Sequence, residues 1–305
     1  MKNKLDSLSP MKSWTALLGV LLIISLPIRS VGQYIPREAE PFFFFVLADT
    51  QFGMFTDNNG FEQETENFEK AIEAANRLHP AFIVVNGDLV NQSANMEQIR
   101  EYKRIVAQLD PSIPIYSVPG NHDVGHVPTS ESLEFYRTNF GPDYYSFQYD
   151  NLYGIVLNSM LISYPDLTPE ESAAQMEWTK EELKRAKQMG YDKIMVFQHI
   201  PFFANQPDEE TDYYGDHESF NIPLEQRRDY LDLFHKYGIH YIFAGHLHKN
   251  AFGRDGDLRM ITTSALGMPL GEDPSGFRIV TVEGDSVQYP FYSIDSVPQK
   301  MQISE

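Results

Sequence analysis

Residues 42–53 read FFFFVLADTQFG. A continuous apolar run, Phe42 to Ala48, stops abruptly at Asp49-Thr50-Gln51. A short unbroken run of this kind, rich in aromatic and β-branched residues, fits a strand buried on both faces. An acid placed directly after such a strand sits where open α/β sheets bind their ligands, beyond the carboxyl edge. The fold is decided by how often this event recurs downstream.

It recurs at regular intervals. Glu64 to Leu78 has helical spacing, with Phe68, Ile72, Ala75 and Leu78 on one face, and His79-Pro80 ends it. Ala81 to Val85 is a second apolar run and leads into Asn86-Gly87-Asp88. Gln98 to Leu109 is helical and stops at Asp110-Pro111. Ile113 to Val118 then leads into Pro119-Gly120-Asn121-His122-Asp123. This alternation is the βαβ pattern of a mainly parallel sheet covered by helices, an α/β fold. Further on, Tyr144–Tyr149 and Tyr153–Asn158 flank Asp150-Asn151 as a hairpin. A helix over Glu170–Met189 precedes Ile194–Phe197, which ends in Gln198-His199. A helix over Leu224–Tyr237, capped by Gly238, precedes Ile239–Ala244, which ends in Gly245-His246-Leu247-His248. Leu258 to Ser293 alternates as antiparallel strands do. With no repeat and no linker, the pattern predicts one domain over residues 42–295, a short extension over 33–41 and a tail over 296–305.

The first 32 residues differ in kind. Lys2, Lys4 and Lys12 precede an apolar stretch from Ala16 to Leu26, closed by Pro27 and Arg29 and followed by Ser30 and Gly32. This is the order of a secretory signal peptide cut after Gly32; a retained anchor is the alternative. Eleven apolar residues are too few for about 30 Å of hydrocarbon. The expectation is an exported chain, periplasmic or extracellular, with no stable membrane insertion once the leader is removed. There is no cysteine, and a core of this size does not need disulfides. Net charge is −19 overall, and the leader carries four basic residues and one acid, leaving the remainder near −22. Such a surface repels nucleic acid, and no basic patch offsets it. It would also repel phosphate esters at long range, so an anionic substrate must be drawn in by bound cations.

The strand ends carry one kind of chemistry: Asp49-x-Gln51, Gly87-Asp88, Gly120-Asn121-His122-Asp123, His199 and Gly245-His246-x-His248. Carboxylates bridge two cations well and imidazoles supply neutral nitrogen donors. Two such ions can hold a phosphate ester and activate water beside it. Any one of these residues has an ordinary explanation as a turn cap or packing group; their coincidence at successive strand ends does not. His79, His126, His217, His235 and His240 lack that placement and read as surface or packing residues, with His126 the nearest to the site mouth.

In this order the motifs resemble those of the calcineurin-like metallophosphoesterases, over about Phe42 to Ser293. The chain is most similar to the branch of calcineurin-like phosphoesterase domain-containing serine/threonine phosphatases, which shares Ala-Asp-x-Gln-Phe-Gly at 48–53, Asn-His-Asp-x-Gly at 121–125, Leu-Asn-Ser at 157–159 and Phe-Gln-His-Ile-Pro at 197–201. The resemblance implies a four-layer αββα sandwich of two mixed sheets. It implies two divalent ions (Mn, Mg, Fe or Zn), a metal-bound hydroxide attacking phosphorus in line, and a phosphorylated protein or small molecule as substrate. Asp49, Gln51 and His248 would hold the first ion, Asn121, His199 and His246 the second, and Asp88 would bridge them. His122 would serve the phosphoryl group or leaving oxygen, with Asp123 orienting it. In the wider family the position of Gln51 is usually His, which leaves two readings: Gln51 binds the first ion through its amide oxygen, favouring Mg²⁺ or Mn²⁺, or it stands behind the ligands. A phosphodiesterase, a nucleotide or sugar phosphatase, and a catalytically weak binding protein on the same scaffold are the competing functions. The acidic segment Phe203–Asn221, with Tyr213-Tyr214, reads as a rim over the site or as a solvated loop.

Overall fold

The architecture follows from the two-residue period of the opening stretch. In the computed structural model, which describes residues 40–212 and 219–302, strand β1 (Phe42–Leu47) is buried on both faces. Phe42, Phe44 and Val46 point into a core shared with Phe197, Met195, Phe243 and Ile261 of a second sheet. Phe43, Phe45 and Leu47 point the other way, into a core formed with helices. Phe44 stacks on Phe82, 4.5 Å between ring centroids, and meets Phe197 and Phe243 edge-on across the gap between sheets. Burial on both sides is why the run shows no polar alternation.

From β1 the chain runs through α1 (Glu62–Leu78), β2 (Ile83–Val85), α2 (Met96–Val106) and β3 (Ile115–Ser117). A short helix α3 (Asn121–Val124) and α4 (Ser130–Phe140) follow, then the hairpin β4 (Tyr145–Tyr149) and β5 (Leu152–Val156). Helices α5 (Ser159–Ser163) and α6 (Pro169–Gln188) lead to β6 (Lys193–Phe197). Helix α7 (Leu224–Tyr237) leads to β7 (Tyr241–Ala244), then β8 (Ala251–Asp255), β9 (Leu258–Thr262), β10 (Gly276–Glu283), β11 (Ser286–Gln288) and β12 (Phe291–Ser293). The first sheet has the order β11-β10-β1-β2-β3, with β12 also on β10. Strands β1, β2 and β3 are parallel and β10 is antiparallel to β1. The second sheet has the order β4-β5-β6-β7-β9-β8, parallel from β5 to β9 and antiparallel at both edges. Two mixed sheets face to face with helices outside form the αββα sandwich that the motif order implies.

Differences from the sequence reading are local. Helix α4 and strand β8 leave little mark in the sequence: α4 is amphipathic only weakly, burying Leu133 and Tyr136, and β8 is an exposed edge strand. Strand β9, expected in an antiparallel tail, pairs parallel with β7 and antiparallel only with β8. The described residues form one compact unit. The leader, most of the 33–41 extension, Tyr213-Tyr214 and His217 lie outside the described residues. Among the described residues no helix is long and apolar enough to cross a membrane.

Candidate metal centre

The carboxyl ends of β1, β2, β3, β6 and β7 converge, and each delivers its polar residues there. The loops after β1 and β2 stay zipped beyond the strands: Asp49 N–H donates to the Gly87 carbonyl and Gln51 N–H to that of Asp88, and Thr50 Oγ1 donates to the Leu89 carbonyl. To point their side chains at one spot, Asp49, Gln51, Asp88, His246 and His248 all take positive φ, from 38° to 71°. Left-handed backbone at a non-glycine residue costs roughly 1–3 kcal/mol and gathers at functional sites. Gly87, also at positive φ, must lack a side chain: a Cβ there would stand 2.5–2.6 Å from the His199 ring.

Two groups of ligand atoms form, each within 4.8 Å: Asp88, His199 and His246 in one, Asp49, Asp88 and His248 in the other, all buried. Asp88 belongs to both, which is the position of a bridging carboxylate. Asn121 adjoins the first group, its Oδ1 lying 2.9 Å from His199 Nε2. Each imidazole has its far nitrogen on a backbone carbonyl: His199 Nδ1 on Asn86 at 2.8 Å, His246 Nε2 on Ser219 at 2.9 Å, and His248 Nδ1 on Met268 at 2.5 Å. A carbonyl only accepts, so these nitrogens carry the protons and the others turn lone pairs inward, the arrangement that fixes tautomer in metal-ligating histidines.

That arrangement demands a cation. His199 Nε2 and His246 Nδ1 face each other at 3.2 Å, and two lone pairs at this distance repel unless something positive lies between them. In the protein alone that can be a proton. Burial works against charge on His199, but Asp88 and Asp49 outweigh it and raise its pKa to about 9. Burial, and then the charge on His199, depress His246 to about 3. Burial also opposes charge on Asp88, yet His199 and His122 hold it well below the usual carboxylate range. Asp49 rises to about 6, first by burial and also by the neighbouring charge of Asp88, against the pull of His248 and His199. The fit to divalent cations has an independent mark: Gln51 Oε1 is buried without a hydrogen-bond partner among the described residues, a costly state for an amide oxygen unless a cation meets it.

His122 stands at the edge of this cluster. Its backbone N–H donates to Asp88 Oδ1 at 3.0 Å, and its Nδ1 lies 2.7 Å from the Asn91 carbonyl. His126 packs edge-on against it, ring centroids 4.6 Å apart, which places His126 at the mouth as anticipated. The role expected for Asp123 needs correcting. Its Oδ1 accepts from the N–H groups of Leu89 and Val90, and its Oδ2 from that of Gly120. Burial, then Asp88, raise it to about 7 against those three bonds. Successive residues in a helical turn point about 100° apart, so Asp123 in α3 faces the loop behind His122. It ties the Asp88 loop to the Asn121 loop, and the Asn91 carbonyl orients His122 in its place. The rim segment reaches the site too, because Ser219 supplies the carbonyl for His246. Asn86, Asn91, Ser219 and Met268 act through backbone oxygens, which every residue type has; no sequence signal could have singled them out.

Comparison with known proteins agrees with this geometry. The sequence profile of the family described as calcineurin-like phosphoesterase matches residues 44–250. The human serine/threonine-protein phosphatase CPPED1 is 37% identical over 282 residues, covering 87% of this chain and 88% of the relative. The Danio rerio protein of the same name is 34% identical, covering 85% and 87%. A dimetal phosphatase structure from Danio rerio superposes with a TM-score of 0.59 at 13% identity, over 83% of this chain and 96% of that one. The purple acid phosphatase PPD1 of yellow lupin gives 0.60 at 13% identity, over 86% and 53%. At such identities the two structures show a shared fold.

Proposed function

This chain belongs to the calcineurin-like phosphoesterase family, a hydrolase of phosphoric esters working with two divalent cations, and from that premise we propose that it is an exported, Mn²⁺-loaded phosphomonoesterase for phosphoserine and phosphothreonine esters. The observation that carries the reading is the pair of ligand groups sharing Asp88, with His122 fastened to the same carboxylate. Bound there, two divalent ions would polarise the phosphoryl oxygens and acidify a water beside them. The first would be held by Asp49, Gln51, Asp88 and His248, the second by Asp88, Asn121, His199 and His246.

The chain's own residues supply the rest. His122 keeps Nδ1–H on the Asn91 carbonyl, so its only transferable proton is on Nε2, in the imidazolium form. It can hydrogen-bond a phosphoryl oxygen and pass that proton to the departing alkoxide, returning to the neutral tautomer that Asn91 already favours. The zipped loops and Asp123 hold the donors in place, which is the positioning contribution to catalysis. A serine or threonine ester is favoured by the description of the relatives that align over most of their length. Export is favoured by the order of residues 2–32, and Mn²⁺ by the oxygen donors, the carboxylates of Asp49 and Asp88 and the amides of Gln51 and Asn121.

The test is turnover by the Mn²⁺-loaded protein of a phosphoserine peptide, a nucleoside monophosphate and bis(p-nitrophenyl) phosphate. Preference for the peptide supports the reading; preference for the diester or the nucleotide replaces its substrate, and no turnover of any overturns it. Amino-terminal sequencing of the protein recovered outside the cytoplasm should begin at Gln33; recovery only from the cytoplasm with the leader intact would refute export.

A further inference from the structure

Gln51 can bind a cation only if its amide oxygen, not its nitrogen, faces the site, and nothing within Gln51 decides which. The decision lies in a chain of amides leading away from it. It starts at a group that cannot be reversed: the backbone N–H of Gln92 donates to Gln98 Oε1 at 2.9 Å. Gln98 must then present Nε2 on its other side, and it meets Asn58 Oδ1 at 2.8 Å. Asn58 Oδ1 also accepts from Asn91 Nδ2 at 3.0 Å. Asn91 therefore turns Oδ1 toward Gln51, whose Nε2 donates to it at 3.1 Å. The remaining atom, Gln51 Oε1, is the one left buried without a partner among the described residues. Each link is a donor meeting an acceptor, so reversing one reverses all those after it.

The opening motif contains the space for this chain. Gly53, at φ +107°, lies under the junction; a Cβ there would stand 2.4 Å from Gln98 Nε2 and 3.0 Å from Asn58 Oδ1. Gln51 and Gly53 of the same stretch thus serve one device, the first as its end and the second as its clearance.

We propose that the amide chain Gln98–Asn58–Asn91 is the positioning element of the first cation site, setting Gln51 with its oxygen toward the ion. The inference rests on the two-cation reading above. Asn91 joins two parts of the centre, its side chain holding Gln51 and its carbonyl holding His122; only the side-chain part is altered by substitution.

The experiment is a calorimetric Mn²⁺ titration at pH 8 of the full chain and of Gln98→Glu, Asn91→Leu and Asn91→Asp, each also combined with Gln51→His. A carboxylate at 98 can only accept, so Asn58, Asn91 and Gln51 must each turn over, and a nitrogen then faces the ion. Gln98→Glu and Asn91→Leu should each weaken one of two Mn²⁺ sites by about 10–100-fold, the usual range for groups supporting a ligand, and spare the other. Asn91→Asp, which still accepts from Gln51, should stay within a few-fold of the parent. In the Gln51→His background the losses should be clearly smaller, because an imidazole has no oxygen and nitrogen to interchange and can take either tautomer. Two unaltered sites in Gln98→Glu, or the same loss with Gln51→His as without it, would overturn the inference while leaving the two-cation reading standing. A parent chain that binds no Mn²⁺ would overturn both. Should Asn91→Leu fail to fold, the near-isosteric Gln98→Glu decides alone.

Discussion

The two sheets contribute unlike chemistry to one centre. The first sheet, through the ends of β1, β2 and β3, presents side-chain oxygens there, those of Asp49, Gln51, Asp88 and Asn121. The second, through β6 and β7, supplies the imidazoles of His199, His246 and His248. Left-handed backbone aims residues on both sides, Asp49, Gln51 and Asp88 on one and His246 and His248 on the other; what sets the oxygen side apart is the amide chain of side chains behind Gln51. The nitrogen side is held by backbone carbonyls of Asn86, Ser219 and Met268. Point substitution can therefore reach the oxygen side from a distance, whereas the nitrogen side yields mainly to changes that move the backbone or crowd a ring.

Substitutions can break this contrast at graded cost. Asp88 is common to both ligand groups, so Asp88→Asn should release both cations and lower kcat/KM on the order of 10⁶-fold, the scale for residues that act as one unit. Metal analysis alongside the assay checks it, and retained occupancy would show that Asp88 is not the bridge. His122→Ala should keep both ions but lose about 10²–10⁴-fold in kcat, the worth of a general acid; an unchanged kcat would remove His122 from the reaction.

Gly87→Ala probes the nitrogen side from the oxygen side, because the new methyl group strikes the His199 ring. It should cost about 1–3 kcal/mol in urea unfolding and weaken the second cation more than the first. Equal weakening of the two sites would show that the clash is relieved elsewhere. Solution pH acts in the smallest steps, about tenfold for each unit. His199, raised to about 9, must give up a proton to admit a cation, and Asp49, raised to about 6, must do so in more acidic solution. Metal affinity should therefore fall about tenfold per pH unit as pH drops below about 9, and more steeply below about 6. A titration flat from pH 9 to 7 would contradict the proton placed between His199 and His246.

Much of this centre was legible in the residues, because strands that end in donors repeat and glycine marks where the chain must turn. Asp49, Asp88, His199, His246 and His248 meet in two groups beyond the strand ends, and α7 spans Leu224–Tyr237 as its spacing indicated. What was not legible has physical causes. Asp123 was expected to face His122, but three N–H groups of neighbouring loops satisfy its carboxylate more fully than one imidazole nitrogen could. Helix α4 buries only Leu133 and Tyr136, too few apolar positions to show a period. The supporting carbonyls leave no trace in residue type. Asn58, Asn91 and Gln98 are ordinary polar residues in sequence, and only their juxtaposition gives them a direction.

Everything above turns on two sheets assembling one centre for two cations around a shared carboxylate, Asp88. Electron paramagnetic resonance of the protein titrated with Mn²⁺ tests it most directly. Two ions per chain should bind and, on filling of the second site, a spin-coupled pair should replace the isolated-ion spectrum. One ion per chain, or two whose spectra remain those of separate ions, would contradict it.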